Sequence, residues 1–216
     1  MTLRVVLYAE GGGEATGLAT RLPAPGDALA EKHLGAGHVL LRRCLERERN
    51  VPGLAVRFEA PLRLRGRQAR GGDLLDRASL RQLLTWVSPR RRPELAIVLV
   101  DCDGNKRRRE LLEKYTSDPP LTVPKVIALA VQEFEAWLVA DQQAVAAAIG
   151  ATVDRTPDPE SMPPQNAKDT LKTWLRQHAP ETKEKTVRIE IAAGCDLAVV
   201  QQRCPAFERL LRDLRA

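Results

Sequence analysis

The sequence predicts an α/β fold: a mainly parallel central sheet flanked by helices, with a helical C-terminal extension. The first observation is Leu95–Val100, six consecutive apolar residues of a kind typical of a strand buried on both faces. The second is that apolar strand-like runs alternate with helical patterns through the first 150 residues. The third is that only helical patterns occur beyond residue 151. This order favours parallel strands joined by helices, followed by an all-helical segment.

The strands are predicted from short runs rich in Val, Ile and Leu. They cover Leu3–Tyr8, Leu54–Phe58, Leu95–Val100 and Val123–Val131. Acidic residues follow the first and third of these strands. Their carboxylates can share one site only if the two strands are neighbours, so we expect the first and third strands to pair side by side.

The helices between the strands are predicted from apolar residues at steps of three and four. They cover Ala28–Glu48, Leu74–Val87, Lys106–Tyr115 and a helix that starts within Gln132–Leu138. The glycines at positions 35 and 37 argue against a regular helix in the first half of Ala28–Glu48.

The domain organisation follows from a change in composition after residue 150. We expect an α/β domain over residues 1–150, a linker rich in Pro, Asp and Ser over 151–165, and a helical tail over 166–216. The tail helices are predicted at Ala167–His178, Lys185–Ala192, Leu197–Arg203 and Ala206–Leu214. The tail should pack on the sheet domain and bury Trp174, Leu197, Phe207 and Leu210.

Composition narrows the functional classes. The net charge is +6 with a pI near 9.4, which favours a polyanionic partner such as nucleic acid. No apolar run is long enough to span a bilayer, and the N-terminus does not resemble a signal peptide.

The four cysteines form no CxxC pair, so free thiols in the cytoplasm are the simplest interpretation. His33 and His38 lie among glycines and are predicted to be loop residues rather than zinc ligands.

Acidic residues stand at the ends of three predicted strands. Glu10 follows the first strand, Asp101 and Asp103 follow the central one, and Glu133 and Glu135 follow the next. Because the carboxyl ends of parallel strands share one edge, these acids predict a site for one or two Mg²⁺ or Mn²⁺ ions. Glu133 and Glu135 are about 200° apart on a regular helix, so both cannot face one site.

A purely structural interpretation of the same acids stays open. Asp101 can cap the following helix and Asp103 can form the turn. Acids in a first helical turn also complement the helix dipole, which would account for Glu133 and Glu135.

Basic residues accompany the acids and are predicted to hold the phosphates of a nucleic-acid backbone. One group follows the DxD motif and the other lies in an arginine-rich loop that ends at Gly71-Gly72. The residues are Lys106, Arg107, Arg108, Arg63, Arg65 and Arg67. The alternative is that the loop is simply a solvated excursion.

The acidic pattern resembles a known family. A Glu after the first strand and a DxD after a later strand are the signature of Toprim domains, and Glu10, Asp101 and Asp103 match it. More closely, the chain resembles the domain-of-unknown-function family 4276, whose members are similar to Toprim proteins. The matching pieces are AEGGGE (Ala9–Glu14), VDCDGN (Val100–Asn105), QEFEAWLVAD (Gln132–Asp141), Asn166-Ala167-Lys168, Lys185-Thr186 and CDLAVVQQRCPAF (Cys195–Phe207).

This resemblance implies a Toprim-like core with a helical tail, but not by itself a reaction. Together with the acidic edge of the sheet, it leads us to expect a Mg²⁺-dependent nuclease acting on phosphodiester bonds. It also suggests a prokaryotic setting linked to defence or mobile elements. Catalytic roles would fall to Glu10, Asp101 and Asp103. The resemblance assigns no role to Glu14.

Two other functions remain open. A Toprim-like module can bind nucleic acid or an ATPase partner without cutting. DCDGN is also similar to the DxDG motif of haloacid-dehalogenase-type phosphatases, although that motif normally ends the first strand and here it ends a late one. The sequence distinguishes neither DNA from RNA nor one oligomeric state from another.

Overall fold

The computed structural model describes residues 1–19, 21–51, 53–85, 92–105, 107–117 and 122–215. Its strands are β1 (Thr2–Ala9), β2 (Ala55–Glu59), β3 (Arg63–Leu64), β4 (Arg67–Gln68), β5 (Leu95–Asp101) and β6 (Lys125–Ala130). Its first helices are α1 (Gly12–Ala15), α2 (Ala36–Arg49), α3 (Gly71–Leu75), α4 (Arg77–Leu84), α5 (Arg108–Ser117), α6 (Glu135–Val139) and α7 (Gln142–Ile149). The C-terminal helices are α8 (Asn166–His178), α9 (Glu184–Gly194), α10 (Leu197–Arg203) and α11 (Pro205–Arg215).

The central sheet has the order β2-β1-β5-β6, and all its neighbouring strands are parallel. The predicted α/β class and the helical C-terminal region are therefore confirmed. The first and third predicted strands are neighbours, with Val5 opposite Leu95 and Ala9 opposite Leu99. The segments that follow β1 and β5 consequently leave the sheet side by side.

Each face of the sheet packs on its own group of helices, because neighbouring side chains of a strand point to opposite faces. Val5 and Leu7 of β1 belong to a large core with α2 and the C-terminal helices, whereas Val6 and Tyr8 belong to a smaller core with α4. The four tail residues expected in the core, Trp174, Leu197, Phe207 and Leu210, are buried there.

The histidines and glycines before α2 have a capping role. Gly35 is the N-cap, and the His38 Nδ1 atom accepts the Gly35 N–H at 3.2 Å. His33 lies in a 3₁₀ turn, and its Nδ1 atom accepts the N–H of Ala30 at 3.2 Å. Both histidines are buried. The prediction of a loop position was wrong for His38, which lies in the first turn of α2. Burial lowers the pKa of His38 to about 3, which keeps it neutral and able to accept this hydrogen bond.

The predicted helix Leu74–Val87 is divided into α3 and α4 at Asp76. The Asp76 carboxylate accepts the Ser79 N–H at 2.8 Å and so caps the second helix. Trp86 and Val87 lie outside the described residues.

The segment 151–165, predicted as a linker, contains a 3₁₀ turn at Pro159–Ser161. The buried Glu160 carboxylate accepts the Trp137 Nε1–H at 3.0 Å and the Ala206 N–H at 2.9 Å. This segment is therefore hydrogen-bonded both to α6 and to the start of α11.

The structure agrees with the predictions of free cysteines and of no membrane-spanning helix. All four cysteines are free and buried. Within the described ranges, no helix has the length and apolar character needed to cross a membrane.

Replacing Phe207 by Ala should lower the free energy of unfolding by about 3 kcal/mol, because the ring is fully buried. Its centroid lies 5.2 Å from that of Trp137, in an edge-to-face contact that joins the tail to α6. Urea unfolding measures the change. Leu111→Ala, at a position that is 42% exposed, is the control and should change the stability by less than about 0.5 kcal/mol. A value near zero for Phe207→Ala would show that the tail is loosely attached.

Candidate functional site

Glu10, Asp101 and Asp103 come together at the carboxyl edge of the sheet. Because β1 and β5 are neighbours, the Glu10 Oε2 atom reaches the Asp101 N–H and accepts it at 3.0 Å. The Arg108 guanidinium joins the third acid: its Nη1 lies 3.0 Å from Asp103 Oδ2 and 3.6 Å from Glu10 Oε2. The same guanidinium donates to the Asp101 carbonyl oxygen.

Asp101 is the most perturbed carboxyl group of this edge. Burial raises its pKa to about 8, and the negative charges of Glu14, Glu135 and Glu10 add to the effect. Its Oδ1 atom accepts the Phe134 N–H at 2.8 Å, which opposes the shift without cancelling it. Asp101 should therefore carry a proton at neutral pH unless a cation is close to it.

Glu14 belongs to the same group of acids. Its side chain is buried, and its Oε2 atom has no hydrogen-bond partner among the described residues. A Cβ atom at Gly11 would lie only 2.0 Å from this oxygen, so the carboxylate packs directly on the glycine backbone. Burial and the charge of Glu135 raise the pKa of Glu14. The signal in the sequence was a second acid four residues after Glu10.

The pair that follows β6 separates into two roles. Glu133 precedes α6, and its Oε1 atom accepts the Lys168 N–H at 2.6 Å in the first turn of α8. This carboxylate therefore caps a tail helix. Glu135 begins α6 and bonds to the Arg188 guanidinium, and its charge acts on Asp101. Glu135 is the member of the pair that belongs to the acidic edge.

The tail supplies cations to the acidic edge. Arg188 of α9 is buried, bonds to Glu135, and has its Nη1 atom 3.7 Å from Glu14 Oε1. Three residues earlier on the same helix, the Lys185 Nζ atom donates to the Gly17 carbonyl oxygen at 3.0 Å, just after α1. The sequence analysis missed Arg188. Its one signal was the three-residue spacing from Lys185, which places both cations on one helix face.

Left-handed backbone occurs beside the acids. Asp103 has φ 44° and Gln132 has φ 66°, a conformation that residues other than glycine seldom adopt. The Asp103 N–H donates to the Gln132 carbonyl oxygen at 3.1 Å, so the two strand ends hold each other in place. Such strain is concentrated at functional sites, which supports a role for this edge.

The arginine-rich loop ends against Glu10. The Gly71 N–H donates to the Glu10 carbonyl oxygen at 3.3 Å, and a Cβ atom at Gly71 would lie 3.0 Å from Glu10 Oε1. Within this loop, Arg63 donates to the carbonyl oxygens of Leu22 and Pro23. The loop is therefore anchored on both sides rather than free.

Few of the arginines predicted to bind phosphate are uncommitted. Arg67 makes a two-point ion pair with Asp73, at 2.7 and 3.0 Å. Arg108 contacts the acids described above. Arg65 and Arg107 are exposed, and their side chains make no hydrogen bond or ion pair that the described part of the chain shows. Lys106 lies outside the described residues.

The residues fit a hard divalent cation in their chemistry. The donors are carboxylate oxygens, one Glu14 oxygen is buried without a partner, and the pKa of Asp101 is raised. Their positions do not form an assembled metal site: over the described ranges, no three His, Cys, Asp or Glu side chains are grouped to hold one ion. The Arg108 guanidinium lies between Glu10 and Asp103. A cation there would have to displace it.

Comparison with known proteins gives one match. The family model described as "Domain of unknown function (DUF4276)" matches residues 27–215. That range includes Asp101, Asp103 and Glu135, whereas Glu10 and Glu14 precede it. No curated protein and no solved structure is significantly similar to the chain.

Proposed function

The chain belongs to the family described as domain of unknown function DUF4276, and from its acidic sheet edge we propose that it is a Mg²⁺- or Mn²⁺-dependent nuclease. The observation that carries the proposal is the crowding of Glu10, Glu14 and Glu135 around Asp101. Carboxylates that repel one another in a partly buried site favour a divalent cation, because the cation removes the repulsion. The resemblance to the Toprim pattern supports the same chemistry.

The residues divide into ligands and supports. Glu10, Asp101 and Asp103 would hold one ion once Arg108 is displaced and their side chains move together, with Glu135 or Glu14 toward a second. When bound, such ions polarise the phosphoryl group and lower the pKa of a bound water. Glu133 acts as a support, because its carboxylate is already committed to the Lys168 N–H.

The substrate is recognised through its phosphates. Arg108, displaced from Glu10 and Asp103, would contact a phosphate oxygen beside the acids. The exposed Arg65 and Arg107 would add further phosphate contacts. Binding through such contacts does not depend on base sequence and weakens with salt. The four buried, free cysteines support a reducing compartment such as the cytoplasm.

One observation favours a second function. The Arg108 guanidinium already neutralises part of the acidic edge. A module that used its acids only to hold Arg108 would bind nucleic acid or an ATPase partner without cutting.

Thermal unfolding with EDTA, Mg²⁺ or Mn²⁺ distinguishes these functions. Metal should raise the melting temperature of the wild type, because an ion that binds only the folded state stabilises it by about 2.7 kcal/mol at 100 times its Kd. The double variant Asp101→Asn/Asp103→Asn should not respond.

The matched control is Asp154→Asn/Glu181→Gln, which removes two exposed acids outside the site and should respond like the wild type. If neither the wild type nor this control responds at millimolar metal, Asp101 and Asp103 are cap and turn residues. The nuclease proposal would then lose its physical basis.

A further inference from the structure

A cavity of about 960 Å³ opens beside the DxDG loop. Its walls come from that loop, α5, the end of β6 and α11. The lining residues that matter here are Cys102, Gly104, Val131, Gln132, Arg209 and Arg212. The cavity has the size of a pocket for a small organic ligand.

The cavity adjoins the acidic edge. Cys102 and Gly104 line it, and Asp103 lies between them in the chain. The Asp103 N–H bonds to the carbonyl oxygen of Gln132, which is another lining residue. One wall of the cavity is therefore the loop that carries an acid of the proposed site. A nucleic-acid strand held at the acids would therefore lie next to a wall of this cavity.

The cavity wall holds three arginines and three acids, so its formal charge is balanced, but two of the arginines make no ion pair within the described residues. Arg109 is held by Glu113 at 2.9 Å and by Asp213 at 2.5 Å. In contrast, Arg209 and Arg212 lie three residues apart on α11, are exposed, and make no ion pair within the described residues. The remaining lining acid is the exposed Glu110, so two uncommitted arginines face one uncommitted acid. Paired guanidinium groups suit a phosphate.

The inner wall has groups that suit a base. Leu129 and Val131 supply apolar surface beside the amide of Gln132. The Gln132 Oε1 atom is buried and has no hydrogen-bond partner in the described part of the chain. Unpaired bases are recognised by stacking on flat or apolar surface and by hydrogen bonds to their edges. A side-chain amide next to apolar residues supplies both.

We infer that this cavity receives one unpaired nucleotide of the substrate, with its phosphate on Arg209 and Arg212. The inference rests on the proposed nuclease function and specifies its substrate as single-stranded or locally unpaired nucleic acid. A continuous duplex cannot place a stacked, paired nucleotide in a pocket, because the base must first leave the stack.

The binding test uses AMP and inorganic phosphate in EDTA, so that no metal contributes. Calorimetry should show that AMP binds the wild type more tightly than phosphate does, and that Arg209→Ala/Arg212→Ala weakens AMP binding at least about tenfold. The matched control, Lys172→Ala/Arg176→Ala, removes two positive charges from α8, which does not line the cavity. Equal binding of phosphate and AMP, or unchanged AMP binding by the α11 variant, would overturn the inference.

A cleavage assay separates this inference from the nuclease proposal. With Mn²⁺, the wild type should cut a single-stranded oligonucleotide at least about tenfold faster than its duplex, and Arg209→Ala/Arg212→Ala should remove most of that preference. Equal cutting of both substrates by wild type and variant would contradict the cavity and leave the nuclease intact. AMP binding that depends on the two arginines, without any cleavage by the wild type, would support the cavity and contradict the nuclease.

Discussion

Asp101→Asn should reduce metal-dependent cleavage by about 10³-fold, equivalent to about 4 kcal/mol of transition-state stabilisation, while the protein stays folded. The charges of Glu14, Glu135 and Glu10 all act on the Asp101 carboxyl group, and the Asp101 N–H donates to the Glu10 carboxylate. Asparagine has nearly the same shape, and its side-chain oxygen can still accept the Phe134 N–H. The change therefore removes the carboxylate that would bind the metal ion and leaves the packing in place. Cleavage of plasmid and single-stranded substrates measures the loss.

The stability of Asp101→Asn shows whether a loss of cleavage could come from unfolding. The pKa of Asp101 is raised from 3.8 to about 8 in the folded state, so the folded protein binds a proton that the unfolded chain has released. Stability should therefore fall as the pH rises from about 4 to about 8. Asp101→Asn should remove this contribution, and its melting temperature in EDTA at pH 8 should equal or exceed that of the wild type.

Cleavage by Asp101→Asn at the wild-type rate would refute the nuclease proposal. Asp103→Asn offers an independent test, because its carboxylate is half exposed and its replacement should not affect folding. Asp154→Asn, an exposed acid outside the site, should keep full activity.

Arg188→Ala should lower the free energy of unfolding by about 3–5 kcal/mol and also impair cleavage. The guanidinium is buried and bonds to Glu135, with Glu14 at 3.7 Å. Removing it leaves two buried carboxylates without their cation, which costs more than the net contribution of the ion pair itself. Urea unfolding at neutral pH measures the stability, and a cleavage assay on the folded fraction measures the activity.

A second substitution tests whether charge is the cause. In an Arg188→Met background, Glu135→Gln should recover a large part of the lost stability, because the uncompensated charge is gone. Arg176→Ala, at an exposed position on α8, should change the stability by less than about 0.5 kcal/mol. A cost below about 1 kcal/mol for Arg188→Ala would show that solvent screens these acids and that α9 does not organise the site.

Local patterns predicted the strands of the central sheet and the tail helices, whereas the predicted helix Ala28–Glu48 begins only at Ala36. The tail helices begin and end within about two residues of their predicted limits, because apolar periodicity of 3.6 is a strong signal over ten residues. The adjacency of β1 and β5 followed from acids at both strand ends. This adjacency places the Glu10 and Asp103 carboxylates and the Asp101 carbonyl oxygen around the Arg108 guanidinium. The helix before the central strand was less well predicted, because its division depends on a single cap at Asp76.

Contacts between distant parts of the chain determined the remaining roles. Glu133 and Glu135 are two residues apart in one motif, yet Glu133 caps α8 through Lys168 and Glu135 pairs with Arg188 of α9. Glu14 becomes a member of the acidic edge only because α1 brings it beside Asp101. No local pattern encodes such pairings, since a carboxylate has the same propensities whichever cation the fold brings to it. The sequence thus places the acids along the chain, and long-range packing decides which of them share a charge environment.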